Sequence, residues 1–176
     1  LMPQNPHPAQ IEDAAAAFAF VAQNISSYGG DKSRIYLSGH SAGAHLAALL
    51  ALDDKYLKRF GLDRAAIRGV IAMSGIYDVD RLDTFVVAAG DARDKHDASP
   101  LAHVHSGAPP FLITYCQYDY FGLPKQARDF VLALKKNFVP AQSLYVPGEN
   151  HISEIISLLQ DHGLLVDAIL NTINNP

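Results

Sequence analysis

The sequence predicts an α/β fold, a mostly parallel sheet with helices on both faces, and two observations predict it. Short apolar runs of strand length alternate regularly with longer stretches of helical period. The strand-like runs are continuously apolar, as interior strands of a parallel sheet are when helices cover both faces. At 176 residues the chain is within the size of one domain, 1–176, and long enough to bury a substantial core.

The first element is a helix from about Pro8 to Ser27. Ile11, Ala14, Ala15, Phe18, Val21, Ala22 and Ile25 fall on one face, and Pro8 suits a first turn. Tyr28-Gly29-Gly30-Asp31 ends it with a sharp reversal. Arg34–Ser38 reads as a strand, and Ala42–Leu52 as a helix apolar nearly all round, buried on several sides. Gly69–Ser74, Phe111–Cys116 and Gln142–Val146 read as three further strands. Between the last two, Pro124–Phe138 sets Ala127, Phe130, Val131, Leu134 and Phe138 against Lys125, Arg128, Asp129, Lys135 and Lys136, an outer amphipathic helix. Ser153–Ile173 is expected to be helical with a break near Gly163. The stretch 77–110 has no clean period. An irregular excursion of that length is expected to be either a lid or pocket segment or an ordinary surface loop.

Composition narrows the function classes. A net charge of −4 without a basic cluster argues against nucleic acid as partner. No apolar run approaches the length needed to cross a bilayer, so a soluble chain without a membrane partner is expected. A single cysteine, Cys116, excludes an intrachain disulfide and fits a reducing, cytoplasmic compartment. His103-Val104-His105 resembles a metal pair in spacing, but no carboxylate or thiol cluster stands near it in sequence, so no metal site is expected.

The chemistry centres on Gly39-His40-Ser41-Ala42-Gly43, a G-x-S-x-G between a strand and an apolar helix. That context puts Ser41 on a tight turn, exposed above the sheet, as a nucleophile must be. Both glycines are expected where the turn crowds the neighbouring backbone. The helix that follows offers free amides and a favourable dipole to a developing oxyanion, with the Ala42 N–H as donor.

A serine hydroxyl needs a base, and the base needs an acid to orient it. With the order serine, acid, histidine, only His151 and His162 lie far enough along the chain. His151 follows the fourth strand in a loop, whereas His162 lies deep in the C-terminal helical region, so His151 is the expected base. Asp119, after the third strand, is the expected acid, with Asp78 after the second strand as rival. His40 and His45 are candidates to line a pocket or support the turn. Tyr77, Phe85, Tyr118, Tyr120 and Phe121 are candidate pocket aromatics, and of all these His40, Tyr77 and Phe121 are the expected substrate contacts.

Ser38-Gly39-His40-Ser41-Ala42-Gly43-Ala44-His45-Leu46 resembles the nucleophile region of the kynurenine formamidase and hormone-sensitive-lipase-like branch of the α/β-hydrolases. The segment 6–14, Ser74-Gly75-Ile76-Tyr77-Asp78, Ala98-Ser99-Pro100-Leu101 and Gly148-Glu149-Asn150-His151 match that branch in order. The resemblance implies an α/β-hydrolase fold and Ser41, Asp119 and His151 as a triad. It also implies action without a cofactor on small esters or aryl formamides through an acyl-enzyme. A non-catalytic small-molecule-binding protein on the same fold is the alternative. Such proteins commonly lose a triad member, and all three are present here.

Two departures stand out. The His-Gly-Gly-Gly-like loop that supplies further oxyanion amides in that branch has no counterpart here, nor do the strands expected before the first helix. The loss of one such donor costs roughly 10²–10³ in rate. The missing strands are therefore expected on a companion polypeptide or another segment, paired to the open edge at Arg34–Ser38. Cys116-Gln117 stands where relatives tend to have a glycine and an acidic residue, which is expected to disturb the loop presenting Asp119.

Overall fold

The structure, a computed structural model, describes residues 4–81 and 92–175. Its elements in chain order are helix α1 (Ala9–Asn24), strand β1 (Tyr36–His40), helices α2 (Ala42–Leu52) and α3 (Lys55–Lys58), strand β2 (Gly69–Met73), helix α4 (Ala92–Asp97), strand β3 (Phe111–Tyr118), helix α5 (Leu123–Lys136), strand β4 (Ala141–Asn150), and helices α6 (Ser153–Ile156) and α7 (Leu164–Asn174). The four strands form one parallel sheet in the order β1-β2-β3-β4.

Alternation along the strands divides the core in two, because successive side chains point to opposite faces. Val70, Ala72, Phe111 and Ile113 pack with α2 and α5, with α1 stacked behind α2. Ile71, Met73 and Leu112 face the other way, onto Leu165 and Ile169 of α7. Helices therefore cover both faces, as the apolar runs predict. Helix α2 buries Ala44 and every residue from Ala47 to Leu52.

The strands are not equally interior. Strand β2 is buried throughout, but β1 and β4 lie at the edges of the sheet and are largely half-exposed or exposed. The expectation that all four are interior holds only for β2 and most of β3. Observed boundaries also run past the apolar stretches: β3 reaches Tyr118 and β4 reaches Asn150. Backbone pairing between parallel neighbours continues where side-chain polarity has already changed, as in the Tyr118–Asn150 pair.

Within 77–110, part of the described chain packs against the core, while Asp80, Arg81, Ala102, Ser106 and Gly107 are exposed. Tyr77, Val79, Ala98, Ser99 and Pro100 are buried. The candidate pocket aromatic Phe85 lies outside the described residues. His45 of α2 ties this segment down, its Nε2 2.6 Å from the Ala98 carbonyl. Burial holds its pKa below the ordinary value of 6.5, against the opposing effect of that bond. The unfolded chain therefore binds a proton that the folded chain resists. The resulting stability is fully present above pH 6.5 and is lost as pH falls below it, by up to about 1.4 kcal/mol per pH unit. Urea midpoints measured from pH 7.5 down to pH 5 are expected to fall, and to fall less in His45→Gln, whose amide keeps the donor without titrating. Equal slopes in the two proteins would exclude His45 as the cause.

Candidate active site

The sheet register assembles the site. Ser41, Ser74, Asp119 and His151 each follow directly on the last residue of β1, β2, β3 and β4. Parallel strands bring all four C-terminal ends to one edge of the sheet, the edge at which open α/β sheets carry their ligand crevice.

Ser41 sits at φ 56°, ψ −117°, in a region that non-glycine residues rarely occupy. The strain is held from both sides: the Ser41 N–H donates to the Met73 carbonyl at 2.8 Å, and its own carbonyl accepts from His45 N–H at 3.1 Å. The Ala42 N–H opens α2 and is one of the first-turn amides that a helix leaves without an internal partner. The two flanking glycines differ. A Cβ on Gly39 would lie 2.3 Å from the Gly43 carbonyl carbon, whereas a Cβ on Gly43 would meet nothing within 4 Å. The expected crowding is real at Gly39 and absent at Gly43.

Asp119 and His151 meet as expected. The His151 Nδ1–H donates to Asp119 Oδ1 at 2.7 Å, with both side chains almost wholly buried. Asp119 also accepts from the Tyr120 N–H at 2.9 Å and from the Ser74 hydroxyl at 2.7 Å. This commits the proton of a neutral imidazole to Nδ1 and leaves Nε2 as the basic atom. No hydrogen bond joins the Ser41 hydroxyl to His151 among the described residues. Their neighbourhood runs through His40, whose ring centroid is 4.5 Å from that of His151. Nucleophile–base contacts in unliganded sites are often long and tighten only with substrate.

The rivals are placed elsewhere. Asp78 pairs with Arg81 at 2.9 Å, and His162 is exposed beside Asp167. Cys116-Gln117 does not displace Asp119. Gln117 instead accepts from the Gly148 N–H at 2.8 Å and so ties the loop of Asp119 to that of His151. Burial pushes the Cys116 thiol up to about 12, so it remains protonated.

Of the expected substrate contacts, His40 lies against His151 and Phe121 is fully exposed on the turn after Asp119. Tyr77 is a correction. It is completely buried, stacked on Phe130 at 4.3 Å and 10°, so it belongs to the core. The aromatic that touches the site is Tyr120, stacked on His151 at 4.2 Å.

His103 and His105 are loop fasteners: His103 bonds the Asp97 carbonyl, and His105 the Leu52 carbonyl. Carboxylates do approach His103, contrary to the sequence expectation, because folding brings Asp53 and Asp97 beside it. The Lys55 ammonium already occupies both, 2.9 Å from Asp53 and 2.6 Å from Asp97. Burial opposes that charge, but the two bonds outweigh it and raise the Lys55 pKa. The cluster thus carries an ion-pair network centred on Lys55. Among the described residues, no helix is long and apolar enough to cross a membrane.

Sequence reasoning missed two buried groups at this edge, Ser74 and Glu154. Ser74 has φ 45°, and Glu154 is completely buried within hydrogen-bonding reach of Ser74 and Thr114. Serines at strand ends and glutamates in short helices are too common to signal such a role.

Comparison with known proteins agrees with this architecture. The chain is 35% identical over 145 residues to the esterase LipQ of Mycobacterium tuberculosis, covering 73% of this chain and 34% of the relative. It is 32% identical over 152 residues to the probable carboxylic ester hydrolase LipM of the same organism, covering 76% and 35%. The chain thus spans about a third of the length of these curated relatives. An esterase from Pyrobaculum calidifontis superposes with a TM-score of 0.80 at 21% identity, over 98% of this chain and 62% of that one. A solved arylesterase gives 0.75 at 20% identity, over 97% and 62%. These likenesses establish the α/β-hydrolase fold. With residues 1–134 matched by the family profile, the chain belongs to the BD-FAE family.

Proposed function

We propose that the protein is a serine hydrolase that cleaves a small carboxylic ester through an acyl-enzyme. The observation that carries this reading is the buried 2.7 Å Asp119–His151 hydrogen bond at the sheet edge where Ser41 holds its strained turn. Ser41 Oγ attacks the acyl carbon while His151 Nε2 takes its proton. The Ala42 N–H stabilises the oxyanion. His151 then returns the proton to the leaving alkoxide, and water, activated by the same imidazole, releases the acid from Ser41. The names of LipQ and LipM support an ester over an aryl formamide.

The edge of β1 supports a second element of the proposal. β1 pairs only with β2 among the described residues, and beside it runs an apolar groove lined by Ala14, Phe18, Val21, Leu37, Leu46 and Leu50. Further strands, from a companion polypeptide or another segment, would cover that groove and bring additional oxyanion amides.

Reaction with a fluorophosphonate probe, read by native mass spectrometry and peptide mapping, tests both elements. The expected result is one adduct at Ser41, lost in His151→Ala, on a species larger than one copy of this chain. Intact protein that stays unlabelled would favour a non-catalytic binding protein. A labelled, fully active monomer would remove the companion strands and leave the hydrolase. Faster turnover of N-formyl arylamines than of aryl acetates would overturn the ester assignment.

A further inference from the structure

Behind Asp119 lies a polar network that the reaction steps above do not use. Its centre is Glu154 on α6, a completely buried carboxyl, which is a rare placement for this residue type. The Thr114 hydroxyl lies 2.5 Å from Glu154 Oε1, and Ser74 Oγ contacts Glu154 Oε2. The same Ser74 Oγ lies 2.7 Å from Asp119 Oδ2. From β1, His40 Nε2 stands 4.0 Å from Glu154 Oε2, buried and without a hydrogen-bond partner. From β3, Cys116 Sγ lies 3.8 Å from Ser74 Oγ.

Counting hydrogens decides how this network is wired. The Ser74 hydroxyl owns one hydrogen yet touches two carboxyl groups. Were both ionised, one contact would set oxygen against oxygen with no hydrogen between them. One hydrogen is therefore carried by a carboxyl group. Asp119 Oδ1 already accepts two N–H groups, from His151 and Tyr120, which leave no room for a hydrogen of its own on that oxygen. Glu154 has only the Thr114 hydroxyl besides Ser74, in a fully buried site.

We propose that Glu154 is a positioning residue that acts as a neutral carboxyl, ordering a one-way chain of hydrogen bonds onto the Asp119–His151 pair. Thr114 donates to Glu154 Oε1, Glu154 Oε2–H donates to Ser74, and Ser74 donates to Asp119 Oδ2. Asp119 Oδ1 remains for the His151 Nδ1–H. The proposal rests on the serine-hydrolase reading, because Glu154 acts on the reaction only through Asp119 and His151.

The test compares Glu154→Gln, Glu154→Ala and Ser74→Ala in the full chain. Glutamine reproduces a neutral carboxyl: its Oε1 accepts from Thr114 and its amide donates to Ser74. Two readouts apply, the His151 imidazole titration by NMR and the kinetics of aryl acetate hydrolysis. Glu154→Gln is expected to leave the His151 midpoint within about 0.2 pH units of the parent, since no charge is removed. Its kcat is expected within about threefold of the parent. Glu154→Ala and Ser74→Ala break the chain. In Ser74→Ala, Asp119 is short of a donor and holds the imidazolium more tightly, raising the midpoint by about half a unit. In Glu154→Ala, Ser74 keeps its bond to Asp119 and loses only the donor that fixes its direction, so the midpoint is expected to move less. In both, kcat is expected to fall about ten- to a hundredfold with KM little changed.

A midpoint lowered by half a unit or more in Glu154→Gln would show that a negative charge had been lost, and would overturn the proposal. So would an unchanged midpoint and kcat in Ser74→Ala. Should Glu154→Ala fail to fold, the other two variants decide. Should the parent fail to react with a fluorophosphonate, the hydrolase reading falls, while the NMR midpoints still decide the wiring of Glu154.

Discussion

Ser41→Ala is expected to lower kcat/KM for aryl acetates by about 10⁴ to 10⁶, the range seen when a nucleophile acting in concert with a base is removed. The same loss is expected of His151→Ala, and the double variant should lose no more than either alone. The reason is physical: a hydroxyl without its base is inert near neutral pH, and an imidazole without the hydroxyl has nothing to activate. Asp119→Asn is expected to cost about 10⁴ in kcat, because an amide can donate to Nδ1 and so reverse the tautomer that leaves Nε2 basic. Asp119 also accepts from Ser74 and the Tyr120 N–H, so part of the Asp119→Asn loss is expected as disorder of the 119–121 turn. Steady-state kinetics, with circular dichroism to confirm folding, reads each case. A Ser41→Ala protein within tenfold of the parent would remove Ser41 from the reaction.

The fold was legible because its signals are local. Continuous apolar runs marked β2 and the buried part of β3, helical stripes marked α1 and α5, and a run apolar nearly all round marked α2. The elements most weakly read were those whose stability comes from tertiary pairing. The last turns of β4, through Pro147 and Gly148, hold no strand-like pattern, yet Asn150 pairs with Tyr118. The site followed the same division. Ser41 is named as a candidate by its flanking residues, and Asp119 and His151 by their place after strands. Tyr77 was misassigned because position after a strand does not reveal direction: its ring turns inward onto Phe130 rather than toward the site. Asp53 near His103 escaped notice because it is distant in sequence and meets it only in the fold, and Asp97, a short way before His103, because a lone carboxylate makes no cluster. Glu154 escaped for the opposite reason, lying three residues from His151 in a helix too short for any period to show which face is buried.

Among the described glycines, Gly39→Ala is expected to add the most damaging methyl. The added carbon would lie 2.3 Å from the Gly43 carbonyl carbon, 2.4 Å from its oxygen and 2.7 Å from the Ala44 nitrogen. All three are backbone atoms in the first turn of α2, so no side chain can rotate away. Relief requires α2 to retreat from β1, yet α2 is anchored by its buried run from Ala47 to Leu52. A cost of about 3 kcal/mol or more is expected, at the upper end for overpacking. For a chain of this size that is a fall in melting temperature of about 6–12 °C. Because the displaced turn carries Ser41 and the Ala42 N–H together, fluorophosphonate labelling should fall even in the fraction that remains folded. Gly43→Ala provides the control. Its methyl enters open space beside the β1 groove, and alanine suits a helix better than glycine by up to about 1 kcal/mol. Thermal melts should therefore separate two substitutions four residues apart in one motif, with the first unfolding early and the second melting no lower than the parent. Equal melting temperatures for the two would mean that the strand-to-helix turn is looser than a 2.3 Å approach implies. The strain assigned to Ser41 would then have to be given up with it.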